Sequence, residues 1–142
     1  MAERPDESAA IARDRARIAA AALLIEVVRV DDQFTEHERA AALGSVQRKF
    51  GLEPEQAQQL LELAEAEAND AHDTYQFTSK INAGFSSEEK LRLIEELWRV
   101  AYADEVLHRH EEHLIRRVAE LLHVSHKAFI LAKLRVQESL EV

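Results

Sequence analysis

Four carboxylates stand in a repeated pattern. Glu38 follows Asp31 by seven residues, and Glu111 follows Asp104 by the same seven. Each Asp ends an apolar stretch and precedes a second acid (Asp32, Glu105), and an apolar residue stands three positions after it (Phe34, Leu107). This spacing predicts an Asp at the C-terminal end of a buried helix and a Glu in the first turn of the next. Both carboxylates then converge on the turn between. Two such units packed about a pseudo-twofold gather Asp31, Glu38, Asp104 and Glu111. Like charges that close repel unless protonated or neutralised. An all-oxygen set suits a hard divalent cation, calcium or magnesium ahead of zinc. The same residues have a plainer reading. Thr35-x-x-Glu38 is a capping box in its own right, and an acid near a helix N-terminus is favoured by the dipole. Asp31 and Asp104 could simply close turns through side-chain to backbone hydrogen bonds.

The elements that must position these residues are helices. The chain of 142 residues has three Gly, two Pro and no Cys. So few turn residues cannot build an all-β protein, and alanine, leucine, glutamate and arginine are good helix formers. The expectation is an all-α bundle of about seven helices in a single domain, with residues 1–7 frayed. The first helix runs from about Ser8 to Val30, apolar nearly all round in its second half, and belongs at the centre. A second helix follows Thr35 and ends near Phe50, with Gly51 as its left-handed terminator. The third opens at Pro54 and carries Ala57, Leu60, Leu61, Ala64 and Ala68. A short helix holds Tyr75, Phe77 and Ile81 and closes at Gly84. Ser86 and Glu89 can box the next one, which reaches Ala103. Two more span about 109–122 and the residues after Ser125, the last covering Phe129, Leu131, Leu134 and Val136.

A shift of 73 residues lays the second half on the first. Leu24 falls on Leu97, Val27 on Val100, Val30 on Ala103, Asp31 on Asp104, His37 on His110 and Glu38 on Glu111. After a one-residue slip, Phe50-Gly51-Leu52 matches Leu122-His123-Val124. His108 occupies the place of Thr35, which gives Glu111 a poorer cap partner.

The unit Val-Val-Arg-Val-Asp31-Asp32-Gln-Phe34-Thr-Glu-His-Glu38, echoed by Val-Ala-Tyr-Ala-Asp104-Glu105-Val-Leu107-His-Arg-His-Glu111, resembles the tellurite-resistance TerB family. Members show an apolar helix ending in Ala-Asp-Gly, an apolar residue, and a Glu seven after the Asp, twice over. The resemblance spans about residues 16–136. It implies a bundle of about seven helices in two pseudo-symmetric halves and a place in tellurite or general stress response. It also implies the bacterial cytoplasm and divalent-metal binding through the acidic motif. The family's Gly after the Asp is Asp32 here and Glu105 in the second half. Asp tolerates a left-handed backbone and Glu does so less well.

Charge and the remaining motifs bound the function further. The net charge is −9, and residues 50–79 hold seven acids with no Lys or Arg. Such a surface repels phosphate backbones, so nucleic acid is not an expected partner. It suits a basic protein partner docking at Glu62, Glu65 and Glu67. No targeting segment is visible. The longest apolar run, Ile18 to Val30, is broken by Glu26 and Arg29 and is too short to span a bilayer. His110-Glu111-Glu112-His113 spaces its histidines three apart, whereas the zinc-hydrolase motif needs four. No phosphate loop or nucleophile elbow exists. A di-iron site would need Glu-x-x-His on two facing helices, each supported by a separate Glu, whereas His37-Glu38 and His110-Glu111 are adjacent. The chain reads as a non-enzymatic module that binds a divalent cation and partner proteins of a stress-response complex. A metal-free interaction domain, whose acidic turns only cap helices, stands as the alternative, and a carboxylate di-metal enzyme comes third. Trp98 reads as a buried aromatic anchor.

Overall fold

The structure, a computed structural model, describes residues 5–28, 35–70, 73–102 and 109–140, with side chains from 8–27, 35–69, 73–102 and 112–140. Among these residues there are seven helices and no strand: α1 (Pro5–Val28), α2 (Glu36–Phe50), α3 (Pro54–Asp70), α4 (Tyr75–Gly84), α5 (Ser87–Tyr102), α6 (Arg109–Leu121) and α7 (His126–Leu140). The all-α expectation holds. One boundary differs: α1 starts at Pro5, upstream of the expected Ser8, so residues 5–7 are helical. A proline at the first helical position has its φ preset and loses no hydrogen bond there.

Helix α1 is the hub. It packs against α2, α3, α4, α5 and α6. From Ala19 to Ile25 every side chain is fully buried, which is why its second half carries no polar face. Its alanines let neighbours approach closely. Where α4 crosses it, a Cβ on Gly84 would collide with the Ala12 carbonyl oxygen and the Ala16 Cβ. Gly84 is thus a packing residue as well as a helix end.

The other helices turn one face inward. On α3 the buried positions are Ala57, Leu61, Ala64 and Ala68; on α5 they include Leu93, Ile94, Leu97, Trp98 and Ala101. Trp98 is fully buried and stacks on Tyr102 with ring centroids 5.9 Å apart. It also meets Phe129 of α7 at 5.4 Å. On α7 only part of the apolar pattern is core. Phe129 and Val136 are buried, but Leu131 and Leu134 are 46% and 47% exposed. A single helix packed on one side of α5 cannot bury both faces.

The repeat is visible in the packing. Helices α1, α2 and α3 contact one another, and so do α5, α6 and α7. The cross-contacts obey the same exchange: α2 packs on α5, and its counterpart α6 packs on α1. Helix α4 stands between the two sets and packs on α1.

Candidate metal site and acidic docking face

The entrance to α2 is fixed by local chemistry. Thr35 stands extended (φ −70°, ψ 162°) as the N-cap. Its Oγ1 accepts from the Glu38 amide at 3.1 Å, and its own amide donates to Glu38 Oε1 at 2.8 Å. Both halves of the capping box are therefore made, each meeting an amide that the helix leaves unpaired. Glu38 is buried, 7% exposed. One of its carboxylate oxygens is committed to the cap.

Of the four repeated carboxylates, Glu38 alone has a described side chain. Asp31 and Asp104, with Asp32, Phe34, Glu105, Leu107 and His108, lie outside the described residues. Glu111 sits in the first turn of α6, at the position that Glu38 holds in α2. Among the described residues no group of three or more His, Asp or Glu side chains is arranged to hold a metal ion. His113 is exposed on α6.

The acidic helix is less bare than its sequence. Glu65 accepts from Arg39 of α2 at 2.8 Å, and Glu67 pairs with Lys80 of α4 at 3.5 Å. Among the described residues, Glu62 accepts only from Gln58 on its own helix, at 3.4 Å. Two of the three proposed docking acids thus have cations from neighbouring helices beside them. The third does not.

Glu96 was not singled out by its sequence. It is buried on α5, 7% exposed. Its Oε2 accepts from Ser45 Oγ at 2.6 Å and Arg48 at 3.3 Å, and its Oε1 from Arg99 at 3.2 Å. A buried charge is tolerated when it is paired and hydrogen-bonded like this. The usable signal was a Glu in apolar register between Leu93 and Leu97. At the 73-residue shift, Ser45 and Glu96 correspond to Val118 and Leu23, both buried and apolar.

Nearby, the expected box at α5 is formed: the Ser86 amide donates to Glu89 Oε1 at 2.9 Å and Ser86 Oγ accepts from the Glu89 amide at 3.2 Å. Arg13 of α1 pairs with Glu89 at 3.0 Å. Burial alone would raise the Glu89 carboxyl, but the Ser86 amide and the Arg13 guanidinium outweigh it and hold its pKa below the ordinary value. Lys49, at the end of α2, lies over the rings of Phe50 and Phe85 at 5.6 and 5.2 Å. Burial pushes its pKa down. Glu89 and Glu96 oppose that push, while Arg92 and Arg13 add to it.

No curated protein and no solved structure matches the chain. Residues 17–134, most of its length, match the family described as tellurite resistance protein TerB. With that match and a bundle of seven helices among its described residues, the chain belongs to the TerB family.

Proposed function

We propose that this TerB-family chain is a non-enzymatic helical module of the bacterial tellurite or general stress response, working in the cytoplasm. In this reading Asp31, Glu38, Asp104 and Glu111 hold one divalent cation, calcium or magnesium ahead of zinc. Helix α3 docks basic partner proteins of a stress-response complex through Glu62, Glu65 and Glu67. The observation that supports the cation reading is the doubled packing: α1 packs on α2 as α5 packs on α6, and the two repeated acidic segments lie between these helices in the sequence. Glu38 and Glu111 occupy the same first-turn position in the two units. Paired carboxylates of this kind repel in the absence of a cation. Metal analysis of the purified full chain, with calcium, magnesium and zinc titrations followed by calorimetry, tests it. Saturable binding of one ion, lost in Asp31→Asn/Asp104→Asn, is the expected result.

A second reading has its own support. The Thr35–Glu38 box already uses one Glu38 oxygen. If capping is the whole role of the acidic turns, the chain is a metal-free interaction domain and no titration shows heat beyond dilution.

A further inference from the structure

We propose that the groove between α1 and α3 is a docking site for a basic amphipathic helix of a partner protein. The inference rests on the reading that the chain docks a basic partner, and it moves the contact from the acidic face as a whole to one place. The groove has a volume of about 340 Å³. Ile18 of α1, Leu52 of the α2–α3 turn, and Leu60 and Leu63 of α3 form its apolar lining. Leu63 is 56% exposed, and Ile11, two turns before Ile18 on the same face of α1, is 53% exposed. Two half-exposed aliphatic side chains beside an apolar groove are what a helix docked in a groove would cover.

The edges of the groove carry the sign of the partner. Asp14 lines the α1 side. On α3, Glu55 and Glu62 are exposed and bracket Gln59, itself a lining residue, at helical spacing. Asp14 and Glu55 have no ion-pair partner among the described residues, and Glu62 has only the Gln58 amide. The cation in the lining, Arg17, lays its guanidinium over the Phe50 ring at 5.7 Å from the centroid. Glu65 and Glu67, by contrast, are already paired with Arg39 and Lys80. The free negative charge of α3 therefore lies beside the apolar groove, not along the whole helix. A helix with apolar residues on one face and Lys or Arg on its flanks matches both features.

The repeat provides a control within the molecule. A groove of about 310 Å³ lies between α5 and α7, where Leu91 and Val124 take the places of Ile18 and Leu52. The acidic edge is missing there. Ser87, Lys127 and Leu134 stand where the first groove has Asp14, Glu55 and Glu62. Lys90, the counterpart of Arg17, lines it as Arg17 lines the first, and His123 lines it in the place of Gly51. Charge complementarity thus directs a basic helix to one groove of the two.

The test uses the full chain, labelled for NMR, and a synthetic leucine–lysine peptide of about 18 residues with leucines at helical spacing. Control peptides replace lysine by glutamate or scramble the order. The expected shifts centre on Ile18, Leu60 and Leu63. Affinity should fall about tenfold or more in Leu63→Ser and in Glu55→Lys/Glu62→Lys, and should weaken with added salt. Glu65→Lys/Glu67→Lys should weaken binding less than Glu55→Lys/Glu62→Lys does, because those two acids already have Arg39 and Lys80 beside them. Melting curves check that each variant is folded, which a change at half-exposed Leu63 should permit. Shifts centred on Lys90 and Val124, or equal binding of either control peptide, would overturn the proposal. So would light scattering that shows a dimer dissociated by Leu63→Ser, because the occupant is then a second copy. Loss of binding in Glu65→Lys/Glu67→Lys but not in Leu63→Ser overturns the groove and leaves docking on the acidic face. No binding of the basic peptide overturns both.

Discussion

Helix α2 ends on Gly51 and helix α6 on His123, and the two ends are the same turn made from different residues. Both stand left-handed, at φ 62° and 63°. Both are followed by an amide that reaches back five residues: Leu52 to the Gln47 carbonyl at 3.3 Å, Val124 to that of Ala119 at 2.9 Å. This is the Schellman arrangement. Across the two halves the backbone plan is kept while side chains diverge. Ser45–Glu96 in one interface answers Val118–Leu23 in the other, and a groove edged by Asp14, Glu55 and Glu62 answers one with Ser87, Lys127 and Leu134 in their places. Packing needs the shared plan. Functions that require charge can sit in one half only.

The shared plan is most exposed at its centre. Leu24 and Leu97 correspond in the repeat and both are fully buried. Replacing either by Ala should cost about 2–5 kcal/mol, read from urea unfolding. A loss below about 1 kcal/mol at one of them would show that the halves do not share a core position.

The buried polar contact is the next largest difference. Glu96→Ala strands the Ser45 hydroxyl and should destabilise by about 1–3 kcal/mol. Changing the pair together, Ser45→Val with Glu96→Leu, installs the residues of the other half. That double variant should come close to the parent or exceed it, since apolar replacement of a buried polar pair is often neutral or stabilising. A double variant worse than Glu96→Ala alone would contradict the equivalence of the two interfaces.

The helix ends give a smaller, signed pair of effects. An L-residue held left-handed costs about 1–2 kcal/mol, so Gly51→Ala should lower stability by about 1 kcal/mol. His123→Gly should raise it, by less, because glycine also gains entropy in the unfolded chain. A fall in melting temperature on His123→Gly would mean that the imidazole does more than occupy the turn.

The smallest effect is electrostatic. The folded pKa of Glu89 lies below its ordinary value of 4.5. Its contribution is therefore present at neutral pH and is lost as pH falls from about 4.5 through the folded value, where the unfolded chain binds more protons. Arg13 is half exposed, so the contribution is small. Glu89→Gln should flatten the acid limb of stability against pH and leave the alkaline limb unchanged.

The bundle was legible because each helix announces itself locally: Thr35, Ser86 and Pro54 at starts, Gly51 and Gly84 at ends, and apolar spacing between. What the sequence hid depends on neighbours far apart in the chain. Residues 50–79 read as an unbroken acidic stretch because the cations that pair with Glu65 and Glu67 are Arg39, well before it, and Lys80, directly after it. The role of Gly84 needs α1 and α4 side by side. Glu96 reads as surface charge until Ser45 and Arg48 arrive from α2. Of the repeated carboxylates, the capping role of Glu38 was legible from Thr35-x-x-Glu38. Asp31 and Asp104 lie outside the described residues.

The most direct measurement is the melting temperature of the full chain with and without calcium or magnesium, set beside Asp31→Asn/Asp104→Asn and Thr35→Ala. A ligand at about 100 times its dissociation constant stabilises by roughly 2.7 kcal/mol. Cation binding by the four carboxylates predicts a rise of that order in the parent, none in the double variant, and a metal-free double variant at least as stable as the parent because repulsion is relieved. A melting temperature that ignores every divalent ion tried, with a loss of about 0.5–2 kcal/mol in Thr35→Ala, would contradict it and leave the repeated acids as helix caps.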